Sequence, residues 1–209
     1  MKLNPEYVIA STSQLRDVIA EPPEMLRLKV FDGLFEDARE FLAEAPLLFL
    51  CTRDAQGQMD VSPKGDAPGF VAMEDDRTLI IPDRPGNRLA FGFNNLIECP
   101  QLSVIFVRPG MTETLRINGT GQITRDPELL ERFVVKGKPA QLCTVVNIEE
   151  CFFHCGKALI RSKLWQADSW AEKRRISFGK QFAQITGGGE DAAAQIDAAV
   201  ADDYRNNLY

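Results

Sequence analysis

The chain has 209 residues, of which 44% are hydrophobic, and carries a formal net charge of −6 at pH 7. This size and composition suit one larger domain, and the negative charge argues against a nucleic-acid surface. The sequence has no run of about 18 apolar residues and no basic-then-apolar leader, so we expect neither a membrane protein nor an exported one.

Two helices are predicted ahead of the first strand, as an N-terminal helical arm over about residues 1–45. The first spans 11–20, begins at Ser and Thr residues that cap helices, and ends before two prolines. The second spans 28–46, where apolar residues from Phe31 to Leu42 recur at helical spacing. We expect this second helix to pack on the barrel.

The central part of the chain consists of short apolar strands separated by turns. The predicted strands are 47–52, 58–62, 69–73, 78–81, 102–107, 113–125 and 142–148, the first four forming two hairpins. Helices are predicted at 87–98, capped by Asn87, and at 126–135. Gly119 and Gly121 indicate a close backbone approach within their strand.

This order of elements predicts a mainly β (α+β) fold. Strands at hairpin spacing, with helices at the ends and between strands, favour a small antiparallel barrel with flanking helices over a doubly wound sheet. We expect a single domain over residues 1–209, with C-terminal helices over about 168–209 that break at Gly187–Gly189.

The stretch 60–70 is too rich in Pro and Gly for an ordinary surface strand. In an extended chain Asp60, Ser62 and Lys64 project to one side and Val61 to the other. Pairing is expected to stop at Pro63 and Gly65, which leaves backbone N–H groups free beside a lysine. The segment therefore suits an anion, or it is simply the solvated face of a strand.

A second cationic segment, residues 82–88, follows the next apolar hairpin. Arg84 and Arg88 lie at the predicted start of a helix, where the dipole adds positive potential. Together the two segments predict a phosphate-binding site. The alternative is that these arginines are loop charges, or that Arg84 pairs with Asp66 or Asp83.

The strings DVSPKGDAPGF, IPDRPGNR and NNLIECP resemble the FMN-binding split-barrel family typified by pyridoxamine 5'-phosphate oxidase, and within it a bacterial subgroup of FMN-dependent enzymes. The resemblance implies a split barrel and a homodimer with flavin at the subunit interface. It also implies an oxidoreductase acting on an unidentified small molecule, with the FMN phosphate meeting Ser62, Lys64, Asn87 and Arg88. True pyridoxamine phosphate oxidase activity is not expected.

Two further groups are predicted to contact FMN. Lys157, Arg161 and Trp165 are four residues apart, so they share a face of a helix or of a strand. We expect them to hold a phosphate or a ring system. The alternative is that the two cations simply cover the indole of Trp165. Arg116 and Asn118 share the polar face of strand 113–125 and reach a flavin edge, or they are outward residues. The predicted cofactor-binding set is Asp60, Val61, Ser62, Lys64, Arg84, Asn87, Arg88, Arg116, Asn118, Lys157, Arg161 and Trp165.

Other chemistries have weaker support. Five scattered cysteines form no disulfide framework, which predicts reduced thiols and a cytoplasmic location. His154, the only histidine, lies near three cysteines without zinc-finger spacing, so no metal is expected. No serine-hydrolase, Rossmann or P-loop motif occurs. The alternatives kept open are a flavin-binding or redox-sensing protein without turnover, and a haem-binding protein with His154 as ligand.

Overall fold

The structure is a computed structural model that describes residues 1–209. Seven antiparallel strands form one sheet in the order β2-β1-β5-β6-β7-β4-β3. The strands are β1 Leu47–Arg53, β2 Met59–Gly65, β3 Ala72–Met73, β4 Thr78–Asp83, β5 Gln101–Val107, β6 Thr114–Thr124 and β7 Leu142–His154. The helices are α1 Thr12–Val18, α2 Glu36–Glu44, α3 Phe91–Glu98, α4 Pro127–Glu131, α5 Lys157–Ser162, α6 Phe178–Thr186 and α7 Glu190–Asn206.

One apolar core fills the inner side of the sheet. Leu48 and Leu50 of β1, Phe106 of β5 and Ile117 of β6 are at most 1% exposed, and α2 adds Leu42. Every second residue of these strands faces inward, as the two-residue period of an extended chain requires. The α+β fold with an antiparallel split barrel and flanking helices is therefore confirmed.

Two glycines of β6 lie where no side chain fits. A Cβ at Gly119 would lie 2.0 Å from the Asn147 carbonyl oxygen of β7, and one at Gly121 would lie 2.5 Å from a Leu102 methyl group. The β6–β7 register shifts between Asn118 and Gly119. The predicted close backbone approach is confirmed at Gly119, whereas Gly121 meets side chains of neighbouring residues.

The second predicted helix is shorter than expected, because α2 begins at Glu36 and not at residue 28. Phe31 pairs instead with Cys151 of β7, through N–H to O bonds of 3.0 and 2.8 Å. Leu34 then donates its N–H to the Asp76 carbonyl at 2.7 Å. These long-range bonds hold residues 31–34 out of a helix, although their apolar spacing also suits one.

Three strands are longer than predicted by two or more residues: β2, β7, and β4, which ends at Asp83 and not at residue 81. Pairing continues to Gly65, which lies opposite Leu47, so the expected release of backbone N–H groups at Pro63 is wrong. β2 is an edge strand, where the missing N–H of a proline is tolerated. β7 extends to His154 and not only to residue 148, since its second half pairs with β6.

The C-terminal region contains a helical hairpin, α6 and α7, broken at Gly187 as predicted. α6 begins only at Phe178, however, and a 3-10 turn at Ala167–Ser169 is the only helical structure between α5 and α6. The hairpin is tight, since a Cβ at Gly179 would lie 1.9 Å from the Ala193 oxygen. None of the helices is both long enough and apolar enough to cross a membrane.

Candidate functional site

The polar side chains of β2 lie on the core side of the sheet. Lys64, Ser62 and Asp60 are in register with Leu48, Leu50 and Thr52 of β1, all three of which are buried. Val61 lies on the opposite face and is 60% exposed. The predicted alternation is confirmed, and it brings a carboxylate, a hydroxyl and an ammonium group to the edge of the core.

Two ion pairs join β2 to the segment that follows β4. Lys64 Nζ lies 2.6 Å from Asp83 Oδ1, and their side chains are 14% and 18% exposed. Arg84 Nε lies 2.8 Å from Asp66 Oδ2, with side chains 14% and 3% exposed. β2 and β4 are not neighbours in the sheet, so these contacts require the sheet to curl.

The two predicted segments enclose one cavity of about 510 Å³. Among the predicted residues, those that line it are Asp60, Ser62, Lys64, Arg84, Asn87 and Arg88. A volume of this size is typical of small-molecule sites, which span about 300–1,000 Å³. The convergence of the two segments is thus observed, whereas the binding role of each residue stays a prediction.

The predicted helix start at Asn87 is wrong, because α3 begins at Phe91. Asn87 Oδ1 instead accepts the Leu89 N–H at 3.0 Å and stabilises a turn. Arg88 and Ala90 follow with φ of 63° and 56°, in the left-handed region that non-glycine residues adopt at a cost of about 1–2 kcal/mol each. No side chain caps α3, and its first turn lines the cavity.

The first turn of α3 packs closely on β2. A Cβ at Gly92 would lie 3.3 Å from Asp60 Oδ2 and 3.8 Å from Ser62 Oγ, and Asn95 Nδ2 donates to Thr52 Oγ1 at 3.1 Å. Lys64 Nζ also lies 4.6 Å from the Phe93 ring centroid. The uncapped N–H groups and positive dipole end of α3 are therefore held near Lys64, which favours an anion.

The charges around the cavity balance. Three cations, Lys64, Arg84 and Arg88, face three carboxylates, Asp60, Asp66 and Asp83. Lys64 and Arg84 are paired, whereas Arg88 is exposed and forms no ion pair. Arg88 is thus the cation of the cavity whose charge no carboxylate offsets directly.

Arg116 and Asn118 lie on the outer face of the sheet, away from the cavity. The Arg116 guanidinium lies 4.2 Å from the Phe152 ring centroid, and its Nε is buried without a hydrogen-bond partner. Asn118 is held between Ser103 Oγ at 2.7 Å and Glu150 Oε2 at 2.8 Å. Neither side chain reaches the cavity within one chain.

Lys157, Arg161 and Trp165 do not share one helix face, so that expectation is wrong. α5 ends at Ser162 because Lys163 adopts a left-handed φ of 52°. Lys157 and Arg161 are exposed on α5, while Trp165 Nε1 donates to the Met111 carbonyl at 2.6 Å. None of the three lines the cavity of its own chain.

His154 also lies outside the cavity, on β7 beside Phe152. Its pKa is lowered from the usual 6.5, first by burial and then by the charges of Arg116 and Lys29. No group of three or more His, Cys, Asp or Glu side chains is placed to hold a metal ion.

Two residues of the site, one on the cavity wall and one behind it, were not predicted from the sequence. Phe93 faces Lys64 from α3, two residues before Asn95, whose amide donates to Thr52 of β1. Tyr209 donates to Asp66 Oδ1 at 2.8 Å across 143 positions of sequence. The sequence around Phe93 does not indicate which residue its ring contacts. No local pattern predicts a contact as distant in sequence as that between Tyr209 and Asp66.

The structure is thus an antiparallel barrel with a cavity between an edge strand and a loop, of a size typical of small-molecule sites. The chain belongs to the pyridoxamine 5'-phosphate oxidase family, since the family model of that description matches residues 34–155, more than half of the chain. The three strings that carry the resemblance all lie within the matched residues.

Solved structures show similar folds at low sequence identity. HupZ from Group A Streptococcus is 18% identical over 57% of this chain and 93% of its own, with a TM-score of 0.46. An FMN-binding protein from Syntrophomonas wolfei is 15% identical over 56% and 88%, with a TM-score of 0.41. The heme storage protein HutZ from Vibrio cholerae is 17% identical over 54% and 87%, with a TM-score of 0.36. Comparison with curated proteins finds no match.

Proposed function

We propose that this protein is an FMN-dependent oxidoreductase that acts on a small molecule and holds the phosphate end of FMN in the cavity between β2 and residues 82–88. The observation that carries the proposal is the convergence of these two segments on one cavity of about 510 Å³. Membership of the pyridoxamine 5'-phosphate oxidase family supports it.

The cavity suits a phosphate ester of this size. Lys64 and Arg88 supply charge, Ser62 and Asn87 supply hydrogen bonds, and the uncapped start of α3 supplies N–H groups. The left-handed residues Arg88 and Ala90 are a second argument, since strained backbone outside glycine accumulates at ligand-binding sites.

The chemistry belongs to the cofactor, because FMN accepts or donates a hydride when bound. The residues of the chain bind and orient it: Lys64 and Arg88 attract the phosphate, and Phe93 and the core residue Leu50 exclude water from the inner wall. Lys157, Arg161 and His154 lie away from this cavity, so a role for them toward the flavin or the substrate requires a second copy of the chain.

A homodimer is part of the proposal. The outer face of β1 and β2 carries Phe49, Met59 and Val61, which are 40%, 63% and 60% exposed, and contiguous exposed apolar residues mark interaction surfaces. Arg116 lies on the same face, with its buried Nε unpaired. Val61→Asp is expected to give a monomer in sedimentation, and Val18→Asp, at an exposed position on α1, is the control.

The cofactor is tested by the colour of the purified protein and by identifying what heat releases from it. We expect FMN in equal amount with subunits. Lys64→Ala combined with Arg88→Ala is expected to give colourless protein. The control Lys173→Ala with Arg174→Ala removes two exposed charges elsewhere and keeps the colour. Yellow Lys64→Ala/Arg88→Ala protein would place the phosphate elsewhere.

A flavin-binding protein without turnover is the second candidate. The observation that favours it is that no His, Cys, Tyr or Glu lines the cavity, so few groups are present for acid–base catalysis. A steady-state assay with reduced nicotinamide and an electron acceptor separates the two, since only an enzyme cycles its flavin. An intense Soret band in the absorption spectrum would instead indicate haem and contradict both.

A further inference from the structure

Tyr209 lines a smaller cavity beside the main one and contacts three separate segments. Its hydroxyl donates to Asp66 Oδ1 at 2.8 Å, and its ring centroid lies 5.7 Å from Arg84 Cζ and 4.9 Å from Lys136 Nζ. Lys138 Nζ donates to the main-chain oxygen of Tyr209. Residues 207–209, which we name the strap, thus return from α7 to the barrel.

The strap meets the barrel at a buried carboxylate. Asp66 accepts hydrogen bonds from the Ala67 N–H and the Tyr209 hydroxyl at Oδ1, and from Arg84 Nε at Oδ2, each at 2.8 Å. Burial raises the pKa of Asp66, but these hydrogen bonds outweigh burial and hold the pKa below its ordinary value. Asp66 is therefore ionised and fixed on both oxygens.

Asp66 in turn fixes Arg84. Arg84 uses Nε for Asp66 and Nη1 for the Phe133 carbonyl at 2.7 Å. A guanidinium has about five N–H donors, so most remain for a ligand. Arg84 forms the wall between the main cavity and a smaller one of about 180 Å³ that Lys138 and Tyr209 also line. Arg84 therefore faces the main cavity on one side and Tyr209 on the other.

We propose that the strap positions Arg84 for binding the phosphate end of the cofactor, with Tyr209 acting through Asp66. The inference rests on the proposed function and assigns to Tyr209 a positioning role. The strap directly follows α7, so the C-terminal end of the helical hairpin is the part of the chain that contacts Asp66.

The variant that tests the strap is Tyr209→Phe, which keeps the ring and removes the hydroxyl. We expect the affinity for FMN to fall about five- to tenfold, which is less than the loss of a direct hydrogen bond to a charged group because Tyr209 acts through Asp66. The affinity for riboflavin, which lacks the phosphate, is expected to stay unchanged. Tyr204→Phe, at an exposed position of α7, is the matched control and changes neither. Equal losses for both flavins, or no loss for either, would overturn the proposal.

Hydrogen exchange without flavin separates failure of the strap from failure of the proposed function. The Ala67 amide shares Asp66 Oδ1 with Tyr209, so Tyr209→Phe is expected to speed exchange at Ala67 and in residues 82–88, whereas Tyr204→Phe is not. If the wild-type protein binds no FMN, the proposed function fails while this measurement still decides the strap. Unchanged exchange in Tyr209→Phe would refute the strap itself.

Discussion

Lys64 is predicted to serve two purposes that one pair of variants separates. It pairs with Asp83 at 2.6 Å, and both side chains are mostly buried, 14% and 18% exposed. Lys64→Ala therefore leaves a carboxylate without its partner, which costs less than the about 3–5 kcal/mol of a fully buried pair because some water reaches the site. The same change removes a cation from the phosphate site.

Lys64→Ala is also expected to weaken the binding of FMN. A hydrogen bond to a charged group contributes about 1.5–3 kcal/mol, which corresponds to roughly a 10- to 150-fold rise in the Kd for FMN. Lys64→Ala/Asp83→Ala removes the unpaired carboxylate as well. We expect the double variant to regain most of the stability but only a small part of the FMN affinity, the part that the unpaired Asp83 carboxylate had removed by repulsion.

Two measurements on the same samples check this prediction. The midpoint of urea unfolding reports stability, and quenching of flavin fluorescence gives the Kd for FMN and for riboflavin. Riboflavin affinity is expected to stay near the wild-type value in both variants. Full recovery of FMN affinity in the double variant would refute the reasoning, since it would show that Lys64 acts only by neutralising Asp83.

Three further predictions concern other parts of the fold. Burial raises the pKa of Cys151 to about 12, so at pH 8 a thiol reagent is expected to label exposed Cys155 and to reach Cys151 only in denaturant, as mass spectrometry would show. The pKa of His154 is expected to lie below 6.5 when it is followed by NMR, where the only histidine gives a single imidazole signal. Because its pKa is lower in the folded than in the unfolded state, its contribution to stability is present above pH 6.5 and is lost as the pH falls through the folded-state pKa. Gly119→Ala places a Cβ 2.0 Å from a backbone oxygen and is expected to destabilise by at least about 1–3 kcal/mol in urea unfolding, whereas Gly189→Ala, in open space, changes little.

Local patterns were enough to predict much of the barrel. The apolar run of β1 and the alternation of β2 follow from side-chain direction alone, so the shared face of Asp60, Ser62 and Lys64 was predictable without any partner strand. That this face points toward the core was not predicted and is shown by the pairing with β1. Residues 28–35 show the limit of such patterns. Their spacing suits a helix, and the bonds between Phe31 and Cys151 that decide against it join positions 120 residues apart.

The candidate site was predictable in part for the same reason. The sequence indicated two cationic segments and offered Asp66 or Asp83 as partners for Arg84, and the structure selects Asp66. It gave no indication that Asp83 pairs with Lys64. The start of α3 at Phe91 was also hidden, because Asn87 is as good a residue for a turn as for a helix cap.

The ion pairs of the cavity reduce the positive charge that its three cations, Lys64, Arg84 and Arg88, offer to an anion. Lys64 and Arg84 each connect one segment to the other, so their first effect is to close the barrel edge around the cavity. A phosphate that enters meets unpaired charge at Arg88 and uncapped N–H groups at α3, and it then competes with Asp83 for Lys64. Asp83 therefore limits phosphate affinity while it stabilises the site. Asp83→Asn is expected to raise the affinity for FMN relative to riboflavin and to lower the stability of the protein. Calorimetry of both flavins with this variant checks the balance, and weaker FMN binding would show that the Lys64–Asp83 pair is needed to shape the site.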